Sequence, residues 1–185
     1  MKKRCNWLLV PSILLPYILL ATLAFIYLGP TVPVLDYIWT NLFFDNIFVL
    51  AAWLVAYVFV AFGLTIIYFI ISMKKKQEPL ALAKTAAVIK LVQIPAFIVL
   101  FVLGLLMLIT VFTLPFVVVF VIFDFLTIVL SGMVVIAAVV NAYRKKTLSI
   151  GVGIVFILCQ LVFVADIVTA IVLWGTLRKE KKYEP

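Results

Sequence analysis

Apolar residues follow one another in long runs along this chain, with few polar positions between them. One run covers residues 89–142, and its only charged residues are Lys90 and Asp124. A straight helix of that length would extend over about 80 Å, whereas the hydrocarbon core of a bilayer is about 30 Å thick. The run must therefore fold back once. Two threonines and a proline at 110–115 indicate where, because the residue before proline is displaced from the α region.

The hydrophobic pattern predicts an all-α fold, a polytopic transmembrane helical bundle with about five spans. The chain is 68% hydrophobic, whereas a soluble domain is about 45–50% apolar. We expect one membrane-embedded domain over residues 1–185 without a separate soluble domain. The predicted spans cover residues 7–28, 47–72, 88–111, 115–141 and 149–174.

Three shorter segments are more polar than the spans. Residues 29–46 predict an extracytoplasmic loop, whose aromatic residues favour the headgroup level. Residues 73–87 predict a cytoplasmic loop, and a short amphipathic helix begins there at Glu78–Pro79 and runs to about Lys90. Residues 176–185 form a charged tail.

The net charge of +8 comes from basic clusters beside apolar runs, which is typical of membrane topology signals rather than of nucleic-acid binding. These clusters predict a multi-pass protein of the cell membrane with a cytoplasmic amino terminus. The lipid bilayer is then its main partner. Five crossings would place the basic residues of Arg178–Lys182 outside, against the positive-inside rule. A bent first span or a re-entrant hairpin would remove that conflict.

Asp124 and Asp166 are acidic residues inside predicted spans, where ionisable groups usually face protein or water. In continuous helices they would lie about 13 Å and 12 Å below the outer ends of consecutive spans. At a shared depth they could meet, and two adjacent carboxylates cannot both ionise cheaply. Thr127 and Thr169 each follow an aspartate by three residues on the same helix face, and Gln160 lies nearer the inner half. This arrangement predicts a site for a small cation or solute.

A purely structural reading of the same residues stays open. Interhelical hydrogen bonds in membranes contribute about 1 kcal/mol or less and are common. Thr127, Thr169, Gln160 and Gln93, together with Ser131, would then only join helices. Lys90 would extend its ammonium group toward the membrane surface.

Catalytic, metal and cofactor chemistry find no support in the sequence. The chain has no histidine and two cysteines without metal-ligand spacing, and it has no glycine-rich phosphate loop. Asp124 and Asp166 are similar to the pair of intramembrane aspartyl proteases, but neither the Tyr-Asp nor the Gly-x-Gly-Asp motif is present. The Ala-x-x-x-Ala stripe of vitamin-uptake S-components is also incomplete, since Val60 follows Ala52 and Ala56. We therefore expect a protein that is not an enzyme and needs no cofactor or metal.

The string Lys90-x-x-Gln93-Ile-Pro95-Ala, together with Asp124 and Asp166, carries a family resemblance. Over residues 81–173 the chain resembles a family of small multi-span membrane proteins of unknown function from Gram-positive bacteria. The resemblance implies an architecture and no activity. It marks Lys90, Gln93 and Pro95 as positions that fit the family pattern.

Two functions remain open from the sequence. The first is binding, sensing or transport of a small cation or solute through the intramembrane aspartate pair. The alternative is a non-catalytic accessory or immunity-type protein that packs against a larger membrane partner, or against a second copy of itself.

Overall fold

The computed structural model describes residues 6–28, 31–109, 114–162 and 164–183. Within these ranges the chain forms helices and the turns that join them, without a strand. A short 3-10 helix, Asn6–Leu9, precedes α1. The α-helices are α1 (Val10–Leu28), α2 (Pro33–Leu42), α3 (Ile47–Lys74), α4 (Pro79–Met107), α5 (Leu114–Arg144), α6 (Ile150–Cys159) and α7 (Ala165–Tyr183).

Four helical stretches of the described part are long and apolar enough to cross a bilayer, which confirms the all-α transmembrane bundle. They are Asn6–Ile26, Ile47–Lys74, Pro79–Met107 and Val117–Arg144. The short helix expected near Leu80–Lys90 is not separate, because Pro79 begins α4 and the helix continues past Lys90, and through Pro95, to Met107. The turn predicted at 110–113 lies outside the described residues, and α4 and α5 end and begin on either side of it.

Consecutive long helices run antiparallel. A Cβ on Gly104 of α4 would lie 3.9 Å from the Phe120 ring of α5, so these helices are paired near their connecting turn. At the other end, Asn141 Nδ2 donates to the carbonyl of Ser72, 3.2 Å away. The end of α5 therefore lies against the end of α3. We call this end of the bundle, which carries Lys74–Lys76 and Arg144–Lys146, the basic end.

The last apolar stretch does not form the continuous span predicted over 149–174. Helix α6 starts at the basic end and runs antiparallel to α5. A Cβ on Gly153 would lie 3.0 Å from Val139 Cγ1, and one on Gly132 would lie 3.5 Å from Gln160 Cβ. The helix then ends at Cys159, well short of a crossing.

Helix α7 returns to the basic end beside α4. Its first turn carries Asp166, which pairs with Lys90 in the middle of α4. Farther along, Leu177 and Glu180 line a cavity together with Pro79, the first residue of α4. Both ends of the α6–α7 pair therefore lie at the basic end, and we call this pair the returning hairpin.

Small residues let these helices approach closely. The main buried cluster includes six alanines from three helices: Ala83 and Ala86 of α4, Ala137, Ala138 and Ala142 of α5, and Ala170 of α7. Membrane helices associate through such small residues, because lipid is as apolar as leucine and provides no hydrophobic drive. The returning hairpin is thus held by close packing as well as by its polar residues.

The opposite end of the bundle carries a short interfacial-type helix. In α2, Pro33 stands at the first position and Asp36 in the first turn, both favourable at a helix start. Trp39 of α2 contacts Phe25 of α1, with ring centroids 6.0 Å apart. Aromatic residues of this kind favour the headgroup level of a membrane.

Candidate functional site

The centre of the bundle holds a buried ion pair between Lys90 Nζ and Asp166 Oδ2. The side chains are 0% and 2% exposed, respectively. The sequence had suggested that Lys90 extends to the membrane surface. Its burial in this pair shows that it does not. The side chain is directed inward because Asp166, on the returning limb of the hairpin, supplies a carboxylate at its level.

The position of Asp166 follows from where α7 begins. It is in the first turn of the helix, where backbone N–H groups lack intrahelical acceptors. A negative charge is favourable there, because the helix dipole is positive at its amino-terminal end. The same carboxylate thus interacts with the start of α7 and with the ammonium group of Lys90.

Gln160 connects the two limbs of the returning hairpin. Its Nε2 atom donates to Thr169 Oγ1 at 2.8 Å, across the break between α6 and α7. Thr169 lies one turn after Asp166 and donates to the carbonyl of Ala165 at 2.7 Å. Gln160 packs against Gly132 of α5, where an added Cβ would lie 3.5 Å from Gln160 Cβ. Sequence analysis had named Gln160 and Thr169 as candidates, but it had placed them on one unbroken helix.

Gln93 satisfies a backbone carbonyl that a proline leaves without its helical partner. In a regular helix, the carbonyl of Ser12 would accept from the N–H of residue 16, but Pro16 has none. Gln93 Nε2 donates to this carbonyl at 3.0 Å, and Gln93 is fully buried. Sequence analysis missed Ser12, although a proline four residues later was the available signal.

Pro95 interrupts the hydrogen-bond ladder of α4 in the same way. Its missing N–H frees the carbonyl of Leu91. Beside it, the hydroxyl of Tyr17 donates to the carbonyl of Val92. The two prolines, Pro16 and Pro95, therefore lie close to the side-chain contacts that join α1 to α4.

Asp124 does not meet Asp166. One of its carboxylate oxygens, Oδ1, is buried without a hydrogen-bond partner, while Asp166 pairs with Lys90. Gly104 of α4 and Phe120 of α5 lie at the same level. From that level, Lys90 is fourteen residues away along α4 and Asp124 is four residues away along α5. Lys90 is therefore ten residues, or about 15 Å along the helix axis, farther from the turn between the two helices than Asp124 is. The shared depth predicted for the aspartates is wrong, because that prediction assumed an unbroken fifth span.

Thr127 and Ser131 extend from Asp124 along one face of α5. Both hydroxyls are buried and donate to carbonyls of their own helix, Thr127 to Phe123 and Ser131 to Thr127, each at 2.8 Å. Ser131 precedes Gly132, where the break of the hairpin packs. A line of polar groups thus runs from Asp124 toward the centre of the bundle.

The buried side-chain atoms without a hydrogen-bond partner in the described part of the chain are all oxygens. They belong to Ser72, Gln93, Asp124, Asn141 and Gln160. Gln93 lies three residues after Lys90 on α4, and Gln160 bonds Thr169, three residues after Asp166. The centre of the bundle therefore offers oxygen acceptors beyond those that are paired. Among the described residues, no group of three His, Cys, Asp or Glu side chains could hold a metal ion.

Comparison with protein families supports one part of the resemblance, a family of unknown function. Residues 8–182 match a family of unknown function. The chain belongs to this family, DUF6652. The match extends well beyond the 81–173 segment and includes the amino-terminal helices. No curated protein and no solved structure gave a significant match.

Proposed function

We propose that this membrane protein binds or transports a small cation or solute at the centre of its bundle, where Lys90 pairs with Asp166. The observation that carries the proposal is the burial of this pair next to a broken helix. Ionisable side chains within membrane spans are expensive and typically mark ion or substrate pathways. In secondary transporters, binding sites lie near the bilayer midplane at discontinuous helices.

The chemistry around the pair favours a monovalent cation. The ammonium group of Lys90 is itself a cation held by Asp166. An ion that replaced it would meet a carboxylate together with the unpaired amide oxygens of Gln93 and Gln160. Carboxylate and amide oxygens are ligands that hard cations accept. We infer that Lys90 and the ion compete for Asp166, so that binding and release are coupled to movement of the lysine.

Asp124 takes a second role in this proposal. It lies about 15 Å from the level of Lys90 along the helix axis, and the hydroxyls of Thr127 and Ser131 lie between them on α5. We assign Asp124 to the approach from the opposite end of the bundle. In this proposal Asp124 and Asp166 do not form a pair. They are two acidic positions at different depths along the path of the cation.

Cation-dependent unfolding of the purified protein tests the proposal. A ligand present at 100 times its Kd stabilises the folded state by about 2.7 kcal/mol. We expect sodium or potassium chloride to raise the unfolding temperature relative to choline chloride at equal ionic strength. Asp166→Asn should abolish this difference, and Asp166→Glu should retain part of it.

Asp36→Asn is the matched control, because Asp36 lies in an exposed part of α2. It should respond to cations as the unchanged protein does. An identical cation response in Asp166→Asn would contradict the proposal, and so would the same unfolding temperature in all three salts for the unchanged protein.

We also propose that the protein lies in the cell membrane with both termini in the cytoplasm. Apart from Lys90, the described Lys and Arg residues lie toward the basic end, on the loops, the first turns of α4 and the last turns of α7. Cytoplasmic loops of membrane proteins carry an excess of Lys and Arg. The returning hairpin brings the end of α7 to the basic end as well, which supports this orientation.

A packing role is a second candidate, and α3 is the observation that favours it. Only 17% of the most apolar 18-residue stretch of α3 is buried inside the bundle, against 44% for the corresponding stretches of α4 and α5. Its outer face has a groove at Phe48, Ala52, Trp53 and Ala56, and small residues of this kind let another helix approach. A photo-crosslinker at Trp53 should then capture a membrane partner or a second copy, and an uncrosslinked monomer would count against this role.

A further inference from the structure

A cavity of about 700 Å³ opens at the basic end, between the ends of α3 and α5. It is separate from the central ion pair. Its lining consists of Met73, Lys74, Lys76, Asn141, Arg144 and Lys145. Four of these side chains are basic, and the lining includes no acidic residue in the described part of the chain.

The inner wall of this cavity is held in place by side-chain contacts to backbone. Asn141 is 2% exposed, and its Nδ2 atom donates to the carbonyls of Ser72 and Gln77, each at 3.2 Å. Arg144 Nη1 donates to the carbonyl of Met73 at 3.1 Å. These bonds fix the turn between α3 and α4 against the end of α5, so the cavity does not depend on one flexible loop.

Donors remain free around the cavity. A guanidinium group has five N–H donors, and the bond to Met73 uses one donor of Arg144. Among the described residues, no hydrogen bond or ion pair involves the ammonium groups of Lys74, Lys76 or Lys145. Such a surplus of basic donors matches the charge and the acceptor oxygens of a phosphate group.

The cavity also has a hydrogen-bond acceptor that lacks a donor. Asn141 Oδ1 is buried at the cavity without a hydrogen-bond donor. A ligand that carries a hydroxyl group beside its phosphate could satisfy this oxygen. Basic pockets between transmembrane helices at the cytoplasmic face bind anionic lipid headgroups.

We propose that the cavity lined by Lys74, Lys145 and Arg144 binds the phosphate group of an anionic, hydroxylated compound, such as the headgroup of phosphatidylglycerol. The basic residues also lie at the carboxyl ends of α3 and α5, where they offset the negative end of each helix dipole. Dipole compensation alone requires no ligand, and the test below separates the two roles.

The test uses the full-length protein, delipidated in a mild detergent, with calorimetric titration of three compounds. These are short-chain phosphatidylglycerol, short-chain phosphatidylcholine and inorganic phosphate at equal ionic strength. The variant Lys74→Gln/Lys145→Gln removes two cavity charges whose side chains make no hydrogen bond. The control Lys75→Gln/Lys179→Gln removes two exposed charges that do not line the cavity.

We expect the unchanged protein and the control to bind phosphatidylglycerol but not phosphatidylcholine. The cavity variant should bind about 30-fold more weakly, from a roughly fivefold loss for each of its two basic residues. If inorganic phosphate also binds with the same loss in the variant, the ligand source is a free phosphate and the assigned chemistry stands. The proposal would be overturned by any of three results. These are equal binding of both lipids, equal binding by the cavity variant and the control, or no binding of any of the three compounds.

Discussion

Lys90 and Asp166 neutralise each other in a part of the bundle that excludes water. Removing charges from water is expensive, and a buried pair recovers that energy only through its mutual attraction and hydrogen bonds. Loss of one partner leaves the other charge buried alone. The pair is therefore much more sensitive to single substitution than to replacement of both members.

The first prediction concerns this asymmetry. Lys90→Met should lower the free energy of unfolding by about 3–5 kcal/mol, because the carboxylate of Asp166 stays buried without a counter-charge. Lys90→Met/Asp166→Leu should restore most of that loss. Lys84→Met is the control, since Lys84 is exposed on the same helix and should change stability by about 0.5 kcal/mol or less.

Denaturant unfolding in detergent would measure these four proteins. Similar stability of Lys90→Met and Lys84→Met would contradict the burial of the pair. A double variant as unstable as Lys90→Met would show that the loss comes from packing rather than from the unpaired carboxylate.

The contact between Gln93 and Ser12 gives a second prediction. Gln93→Leu should cost about 1–3 kcal/mol, because the carbonyl of Ser12 loses its donor. Pro16→Ala restores the backbone N–H that this carbonyl lacks. Gln93→Leu should therefore cost clearly less in the Pro16→Ala background. Thermal unfolding of the four combinations measures the coupling, and strictly additive losses would argue against this account.

At the scale of residues, the sequence indicated which polar side chains lie within the apolar runs but not their partners. Asp166, Lys90, Gln93 and Gln160 stood out because polar groups are rare within apolar runs. The partner of Asp166 depends on which limb of the hairpin carries it, and this could not be read from spacing along one helix. Lys90 was assigned to the surface because its position near a predicted helix boundary suggested that its long side chain reached solvent.

The discontinuity between α6 and α7 is the element that organises the site. Cys159 ends α6 and Ala165 begins α7, so the chain reverses direction within a few residues. Val164 has a φ of 72°, in the left-handed region that β-branched residues rarely adopt. Strain of this kind costs about 1–3 kcal/mol and is sustained by the surrounding structure, here by the Lys90–Asp166 pair and by Gln160.

The third prediction follows from this strained residue. Val164→Gly should raise the free energy of unfolding by about 1 kcal/mol, because glycine adopts positive φ without steric penalty. Val162 is a suitable control, since it is 58% exposed against 57% for Val164 and does not have a positive φ. Val162→Gly should lower stability. Thermal unfolding that ranks the two variants in the reverse order would contradict the left-handed turn.

At the scale of elements, sequence patterns predicted the long helices well and the break poorly. Pro79 marks the start of α4 and Pro115 lies in the first turn of α5, so those boundaries were readable. The segment 159–165 contains no proline or glycine, and its apolar residues read as part of one helix. The acidic residue in the first turn of α7 was the one local sign of a helix start.

The whole molecule combines four long helices of the described part with a hairpin that enters and leaves at the same end. Sequence analysis predicted the bundle and noticed that five crossings would place a basic tail on the wrong side. A re-entrant hairpin was one of its explanations. Choosing among them required long-range contacts, such as the one between Lys90 and Asp166, that hydropathy does not encode.

The central claim is that the last apolar stretch turns back inside the bundle, and cysteine accessibility tests it most directly. Single cysteines would replace Lys75, Lys179 and Asp36 in a protein whose own two cysteines are changed to alanine. Intact and permeabilised cells are then labelled with a membrane-impermeant maleimide. We expect Lys75→Cys and Lys179→Cys to react from one side and Asp36→Cys from the other. Labelling of Lys179→Cys from the same side as Asp36→Cys would contradict the returning hairpin.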